Sequence, residues 1–165
     1  MRFSIKGKGN RIPFWICVFL SLIFVCAGAL AEPGEEELNE MRLDPDYAAG
    51  RRAIEAKEWQ NAIRLLSSAA LRDTRNAEIQ NYLGYAYRNT GELSAAFKHY
   101  SRALQINPRH RGAHEYLGEA YLMVNNVAKA EEHLAALKGI CLIPCDELAI
   151  LQKKIQDYRR SKQGV

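Results

Sequence analysis

Two cysteines are the residues whose type and spacing point most directly to chemistry. Cys141 and Cys145 stand four residues apart in the segment GICLIPCDEL, residues 139–148. Such a pair can form a disulfide, exchange thiols or bind copper, but thiol exchange needs an activated thiolate and a metal needs further ligands. The nearest histidine in the sequence is His133, and the segment lacks the strand–helix context of a thioredoxin-type site. A disulfide is therefore the favoured interpretation, and a metal- or thiol-handling site stays open as the alternative.

The other candidate ligands and acid–base pairs are weaker. His110 and His114 stand four residues apart, at positions that suit a turn and a packed side chain. Glu115 and Glu119 share one helical face, where a carboxylate pair is usually solvated. The sequence contains no glycine-rich phosphate loop, no G-x-S-x-G motif and no zinc-type set of cysteines. We therefore predict a protein that is not an enzyme, with no catalytic residue, no metal site and no cofactor.

Residues 1–31 have the pattern of a secretory signal peptide. Four basic residues precede position 12, no residue from Ile12 to Leu30 is charged, and the stretch closes on Ala29-Leu30-Ala31. We expect cleavage after Ala31 and a periplasmic protein. The apolar stretch is also long enough to remain as an inner-membrane anchor, with the rest of the chain facing the periplasm. Lipid attachment at Cys26 is disfavoured, because Val25 stands where lipoprotein signals have Gly or Ala.

Charge separates this amino-terminal segment from the rest of the chain. Of the 23 Lys and Arg residues, four lie before residue 32, whereas all 19 Asp and Glu residues lie after residue 31. The mature chain is therefore formally neutral, which argues against binding to nucleic acid. Residues 32–42 contain five glutamates and a Pro-Gly pair, and we interpret them as an acidic flexible leader. A membrane contact is expected only if the amino-terminal segment stays uncleaved.

From residue 43 onwards the sequence repeats itself at a regular interval. Leu83-Gly84-x-x-Tyr87 recurs as Leu117-Gly118-x-x-Tyr121, and a weaker copy lies one interval earlier. Each copy has apolar residues at helical spacing in two successive segments, which predicts a pair of helices, A and B. Small residues recur where the helices of a pair must cross closely, at Gly50, Gly84 and Gly118 in helix A and at Ala62, Ala96 and Ala130 in helix B.

These residues resemble the tetratricopeptide repeat, and the middle copy also matches its Gly91, Ala103 and Pro108. The resemblance implies an all-α fold, a short α-solenoid of three helix–turn–helix units at residues 43–76, 77–110 and 111–142. Residues 143–165 are interpreted as a capping helix and tail, because Leu148, Leu151, Ile155 and Tyr158 form one apolar stripe. Lys57 stands near the place of Gly91 in the first unit, so we expect the first turn to be shaped differently.

The resemblance also implies a function. In this family the A helices line a concave groove that receives an extended or helical peptide. By repeat alignment the groove residues are Tyr47, Arg51, Ile54, Asn81, Tyr85, Arg88, Glu115, Glu119 and Leu122. Glu115 and Glu119 stand where chaperone-binding members carry a basic clamp for a terminal carboxylate, so that clamp is not expected here. The expected function is an exported scaffold or adaptor, whose partner is another envelope or periplasmic protein or peptide. The alternative is a metal- or thiol-handling accessory protein that uses Cys141 and Cys145.

Overall fold

The structure is a computed structural model that describes residues 44–163, and in this range all regular secondary structure is α-helical. Seven helices follow one another: α1 Pro45–Glu55, α2 Trp59–Arg72, α3 Ala77–Asn89, α4 Leu93–Ile106, α5 Arg111–Met123, α6 Val127–Ile140 and α7 Asp146–Gln163. Helices α1 and α2, α3 and α4, and α5 and α6 form three antiparallel pairs, and α7 packs on the last pair. The all-α solenoid fold expected from the sequence is confirmed. The interpretations of residues 1–31 and 32–42 concern residues outside the described range.

Polar side chains fix where the A helices begin. Asp44 accepts hydrogen bonds from the N–H groups of Asp46 and Tyr47 at the start of α1, and Asn76 does the same for α3. At the start of α5 the imidazole of His110 is the cap, and it accepts a hydrogen bond from the N–H of Ala113. Each cap satisfies backbone donors that have no partner inside the helix. His110 is therefore a helix cap in this structure.

The turns between the paired helices share one backbone geometry. Lys57, Gly91 and Asn125 all have positive φ, at 59°, 83° and 58°. In each turn the residue after this one donates its N–H to a carbonyl five residues earlier, as Glu58 does to Ala53. The expectation that Lys57 makes the first turn different is wrong. Lysine adopts the left-handed conformation here because the turn hydrogen bonds and the packed helices on either side impose it.

The core consists of three apolar clusters that follow one another along the stack. The first joins α1, α2 and α3, the second joins α4 to α5, and the third joins α6 to α7. Because each cluster links neighbouring helices, no pair buries its apolar face alone, as expected for stacked repeats. Between residues 44 and 163, no helix combines the length and the apolar character needed to cross a bilayer.

The glycines predicted at close helix crossings do lie at such crossings, but the third has an unexpected partner. A Cβ added to Gly50 would lie 2.7 Å from Leu66, and one added to Gly84 would lie 2.6 Å from the ring of Tyr100. Both partners come from the B helix of the same repeat. A Cβ on Gly118 would instead lie 2.7 Å from Leu151 of α7. The capping helix therefore fills the space that a bulky B-helix side chain fills in the first two repeats.

Candidate functional site

The nine residues predicted to line a groove lie on the three A helices, three on each of α1, α3 and α5. Within each helix they are spaced by three or four residues, so each trio shares one face. Their burial differs: Asn81 and Glu115 are only 4% and 6% exposed, whereas the other seven are partly exposed. In α1, Tyr47 packs against Tyr82 with ring centroids 6.2 Å apart, and Ile54 packs against the first core cluster. Arg51 is partly exposed beside them.

An aromatic cluster occupies the middle of this surface. The ring of Tyr85 lies 5.0 Å from that of Tyr116 and 5.9 Å from that of Trp59, centroid to centroid. The guanidinium of Arg88 lies over both tyrosines, 5.2 and 5.3 Å from their ring centroids. Burial raises the pKa of Tyr116 to about 12, so its hydroxyl stays neutral. Sequence reasoning did not find Trp59 or Tyr116. Trp59 opens a B helix, and Tyr116 follows a predicted groove residue, so neither fits the repeat pattern for groove positions.

Arg88 also takes part in a charged network that joins three helices. Its guanidinium forms an ion pair with the carboxylate of Glu119, and both side chains are mostly buried. The ammonium of Lys154 in α7 lies 3.8 Å from the other carboxylate oxygen of Glu119. Two cations thus neutralise this carboxylate, and α7 is tied to the groove side of α5. Glu119 is a predicted groove residue, but in this structure it bridges helices.

Glu115 is the least exposed predicted acid of the groove. Burial raises the pKa of its carboxyl to about 7, and the negative charges of Glu119 and Glu147 act in the same direction. The positive charges of Arg88 and Lys154 offset only part of this effect. Near neutral pH the group is therefore divided between its protonated and ionised forms. The sequence suggested that Glu115 is an ordinary solvated carboxylate. Its burial and raised pKa show that it is not.

Buried polar atoms without partners lie beneath the same surface. In the described part of the chain, the Oδ1 of Asn81 and the Nε of Arg88 are buried and make no hydrogen bond of good geometry, and the buried hydroxyl of Tyr100 lies beside the guanidinium of Arg88. Leaving such atoms unpaired is costly, so each of them requires an explanation, such as an ordered water, an ion or a ligand. Asn81 offers an acceptor and Arg88 a donor. Both stand on α3 seven residues apart, so they lie on one face and roughly 10 Å apart along the helix.

The capping helix forms one wall of a pocket at the third repeat. The pocket has a volume of about 390 Å³ and is lined by Arg88, Glu119, Leu122, Met123, Lys154 and Tyr158. Leu122, the ninth predicted groove residue, therefore faces a space that α7 bounds. Sequence reasoning assigned α7 only to covering the end of the stack. It could not show that α7 also bounds this pocket, because this depends on the angle at which α7 packs.

The histidines that are not caps form side-chain pairs between the A helix and the B helix of the second and third repeats. The Nδ1 of His114 lies 3.0 Å from the Nδ1 of His133, and its Nε2 lies 3.0 Å from the carbonyl of Pro108. Burial and the neighbouring His114 lower the pKa of His133 to about 4. In the second repeat, Gln80 and His99 pair in the same way at 2.9 Å. Among residues 44–163, no group of three or more His, Cys, Asp or Glu side chains is placed to hold a metal.

Cys141 and Cys145 are bonded to each other, with their sulfur atoms 2.08 Å apart. The bond closes the connector between α6 and α7. Cys141 packs against the third core cluster, whereas Leu142 and Ile143 between the cysteines are 91% and 81% exposed. The pair lies beyond the last B helix and contributes nothing to the lining of the pocket described above.

The fold is that of an all-α repeat protein, and its A helices share a partly exposed, aromatic and charged surface. Residues 77–110 match the family model of the tetratricopeptide repeat. The middle unit is thus a tetratricopeptide repeat by sequence, and residues 44–163 have the fold of a tetratricopeptide-repeat protein.

Known proteins resemble the chain in fold more than in sequence. The yeast Sti1 TPR2B domain, solved as a complex with pHsp70, has a TM-score of 0.66 at 15% identity, covering 71% of this chain and 95% of that one. The Yersinia enterocolitica type III secretion chaperone SycD, solved with a peptide of the translocator YopD, has a TM-score of 0.64 at 15% identity, covering 72% and 92%. At these identities the similarity establishes the fold alone.

Among curated proteins, the human protein O-mannosyl-transferase TMTC3 is 29% identical over 83 residues. The match covers 50% of this chain and 9% of that protein. The chain therefore spans less than a tenth of the length of this relative.

Proposed function

We propose that this protein is an exported, non-catalytic scaffold or adaptor that binds a polypeptide partner in the groove of its A helices. The buried Oδ1 of Asn81 and Nε of Arg88 carry this proposal, because they lack partners within the described residues. A peptide backbone offers an N–H to the first and a carbonyl to the second. A spacing of roughly 10 Å along α3 corresponds to about three residues of an extended peptide.

The aromatic cluster supports the same kind of ligand. Tyr85 and Tyr116 present partly exposed ring faces with Arg88 above them, and tyrosine and arginine are the residues that concentrate binding energy at protein interfaces. Of the solved structures of similar fold, that of SycD holds a peptide of the translocator YopD, and that of the Sti1 TPR2B domain is a complex with pHsp70. By this analogy the partner of this chain is a polypeptide too, and we place that partner in the periplasm or envelope.

Site-specific photo-crosslinking in the producing cell tests the groove. A photoreactive phenylalanine analogue replaces Tyr85, and the matched control carries it at Lys98, which is exposed on α4 outside the groove. We expect covalent adducts with a polypeptide at position 85 and none at position 98, identified by mass spectrometry. Replacing Asn81 with Ala in the position-85 variant should reduce the adduct by about tenfold, since it removes a buried acceptor. Equal adducts at both positions, or none at position 85, would contradict the proposal.

Export has its own test, which does not depend on the groove. The mass of the protein recovered from cells reports whether the chain begins at Glu32, as cleavage after Ala31 requires. If the amino-terminal segment is retained, the full mass is found and the protein fractionates with the membrane. Recovery of the full-length chain in the cytosolic fraction would contradict both forms of the localisation.

The alternative, a metal- or thiol-handling accessory protein, makes a different prediction for the cysteine pair. If the disulfide is only structural, Cys141→Ser with Cys145→Ser lowers the free energy of unfolding by about 2 kcal/mol at most, because the closed loop is short. Adduct formation at position 85 should be unchanged, since the pair lies outside the groove. A double variant that stays folded but loses function in a deletion strain would favour the alternative. Thiol titration and metal analysis of the purified protein provide the second readout.

A further inference from the structure

Three carboxylates influence one another where α5 meets α7, and two of them are paired with cations. The carboxylate of Glu119 forms an ion pair with Arg88, and its other oxygen lies 3.8 Å from the ammonium of Lys154. Glu147, in the first turn of α7, lies 3.5 Å from the guanidinium of Arg111. Each of these two carboxylates therefore has a partner of opposite charge.

Glu115 is the third carboxylate and has no such partner. The residue is only 6% exposed, and among residues 44–163 its carboxylate takes part in no ion pair and no hydrogen bond. Burial, followed by the charges of Glu119 and Glu147, raises the pKa of this carboxyl to about 7. Arg88 and Lys154 act in the opposite direction, but both are engaged with Glu119. Because a carboxylate is rarely buried without a cation, a cation is what this place lacks.

A second acceptor without a partner lies on the neighbouring A helix. Asn81 stands one repeat before Glu115, and its buried Oδ1 makes no hydrogen bond of good geometry. The amide nitrogen of Asn81 lies against the first turn of α5, 3.4 Å from the position that a Cβ on Gly112 would take. The amide also acts on Glu78, because His110 and, less strongly, Asn81 lower the pKa of the Glu78 carboxyl. What the Oδ1 of Asn81 and the carboxylate of Glu115 both lack is a donor.

Aromatic rings border the same part of the groove. Tyr116 follows Glu115 in α5, and its ring lies 5.0 Å from that of Tyr85. Burial and, next, the charge of Glu115 raise the pKa of the Tyr116 hydroxyl, so the phenol and the carboxyl lie close together. Lysine and arginine pack their apolar stems along such rings and keep the charged end at a polar group. Arg88 already does so with its guanidinium over both rings, and the basic side chain of a ligand would find rings and a carboxylate together at Glu115.

Other ligand groups fit this place less well. A carboxylate would be repelled by Glu119 and Glu147, and by Glu115 in its ionised form. An apolar side chain would cover Glu115 and Asn81 and leave both acceptors unpaired, which costs free energy. A neutral amide would supply a donor but no charge, and hydrogen bonds to ionised groups are roughly twice as strong when the donor is charged as well. A basic side chain supplies both the donor and the charge.

We infer that the groove selects a polypeptide segment that carries an arginine or a lysine, whose side chain pairs with the carboxylate of Glu115 while a backbone N–H of the same segment reaches the Oδ1 of Asn81. The contact at Glu115 has the opposite polarity to a basic clamp for a terminal carboxylate. The inference rests on the proposed function, since it names the kind of polypeptide that the groove binds. Binding of the basic group gives the buried carboxylate the partner that the chain itself does not provide.

Two matched peptides test the charge preference. One is the blocked pentapeptide acetyl-Ala-Ala-Arg-Ala-Ala-amide, and the other carries citrulline, the neutral isostere of arginine, at the same place. NMR titration of the isotope-labelled protein, purified from the producing cell, gives a dissociation constant for each peptide. At about pH 8 we expect the arginine peptide to bind about tenfold more tightly, because it alone pairs with the ionised carboxylate. Equal affinities, or no binding of the arginine peptide at millimolar concentration, would overturn the inference.

Substitution of Glu115 shows whether the preference belongs to this carboxylate. Glu115→Gln should bind both peptides equally, whereas Glu132→Gln removes the same charge from an exposed position on α6 and should keep the preference. In the unsubstituted protein the preference should fall between about pH 8 and about pH 5, because Glu115 becomes protonated while the guanidinium stays charged. His110 is the same in both variants, so Glu115→Gln also reports any contribution that its titration makes. A preference that persists in Glu115→Gln would overturn the inference.

The same variants separate this inference from the proposed function. With the photoreactive analogue at Tyr85 in the producing cell, Glu115→Gln should reduce the polypeptide adduct by about tenfold, and Glu132→Gln should leave it unchanged. Circular dichroism verifies that each variant is folded. An undiminished adduct in folded Glu115→Gln would overturn the inference while the proposed function stands. The absence of any adduct at position 85 with Glu115 intact would overturn the proposed function, and this inference with it.

Discussion

At Gly84 the addition of a single methyl group should damage the fold. A Cβ there would lie 2.6 Å from two ring carbons of the fully buried Tyr100. We predict that Gly84→Ala lowers the free energy of unfolding by about 1–3 kcal/mol, because the ring or the helices must move apart. Denaturant unfolding measures the loss. Gly139→Ala is the control, since a Cβ at Gly139 meets nothing within 4 Å. Equal losses in the two variants would mean that the close crossing is not the cause.

Lys57 occupies a backbone conformation that favours glycine. Its φ of 59° lies close to that of Asn125, and Gly91 stands at the matching place in the second turn. We predict that Lys57→Gly raises the free energy of unfolding by up to about 1 kcal/mol, since the strain of the left-handed conformation exceeds the entropic cost of glycine. Thermal unfolding tests this. Gly91→Ala should have the opposite sign, and a loss of stability in Lys57→Gly would contradict the prediction.

The buried Glu115 and the half-buried His133 should give the unfolding free energy opposite dependences on pH. The pKa of Glu115 is raised to about 7, so its contribution is fully present below about 4.5 and is lost as pH rises to about 7. The pKa of His133 is lowered to about 4, so its contribution is present above about 6.5 and is lost as pH falls to about 4. The two effects oppose each other across the same window.

Single substitutions should separate these effects. Glu115→Gln should stabilise the protein at pH 8 by about 1–3 kcal/mol and leave a stability that rises with pH between 4.5 and 6.5. His133→Phe should keep the stacking on Tyr121 and weaken the rise of stability with pH over the same range, and the lowered pKa of His99 preserves part of that rise. Denaturant unfolding at four or five pH values provides the data. If Glu115→Gln has the same profile as the unsubstituted protein, the carboxyl is not desolvated.

At the scale of one helix, α7 should be part of the core. Leu151 is fully buried and fills the space against Gly118. We predict that Leu151→Ala lowers the free energy of unfolding by about 2–4 kcal/mol, the usual cost of removing a buried leucine. Its neighbour Ile150 is 41% exposed, and Ile150→Ala should cost well under half as much. A small effect at Leu151 would show that α7 detaches from the stack without consequence.

The helices themselves were largely predictable from the sequence, because the signals that define them are local. Glycine and tyrosine three residues apart recur in successive repeats, and Pro108 marks where the second B helix has ended. The position of Lys57 was misjudged because side-chain preference is a local signal, whereas the turn is imposed by the two helices it joins. The contact between Leu151 and the third repeat could not be predicted either. Periodicity defines which face of a helix is apolar, but not which distant helix packs against that face.

At the scale of the whole molecule, the predicted groove was likewise only partly predictable from the sequence. Its nine positions follow from the repeat register, and the structure places them on the three A helices. Their electrostatic state does not follow from the register. Glu119 is paired with Arg88 and Lys154 because α7 comes close to α5, and Glu115 is buried with a raised pKa among the same groups. A charge that appears solvated in a single repeat becomes part of the interior once the fold closes around it.

The contacts that join the two helices of a repeat recur with the sequence period, and this has a consequence for how such a chain can change its length. Tyr87 stacks on His99, and at the equivalent positions of the next repeat Tyr121 stacks on His133. Gln80 pairs with His99 as His114 pairs with His133. A duplicated copy of residues 77–110, placed before Arg111, would therefore already contain the contacts that join its own two helices. The groove could lengthen by one unit through a single genetic event, with α7 still closing the end.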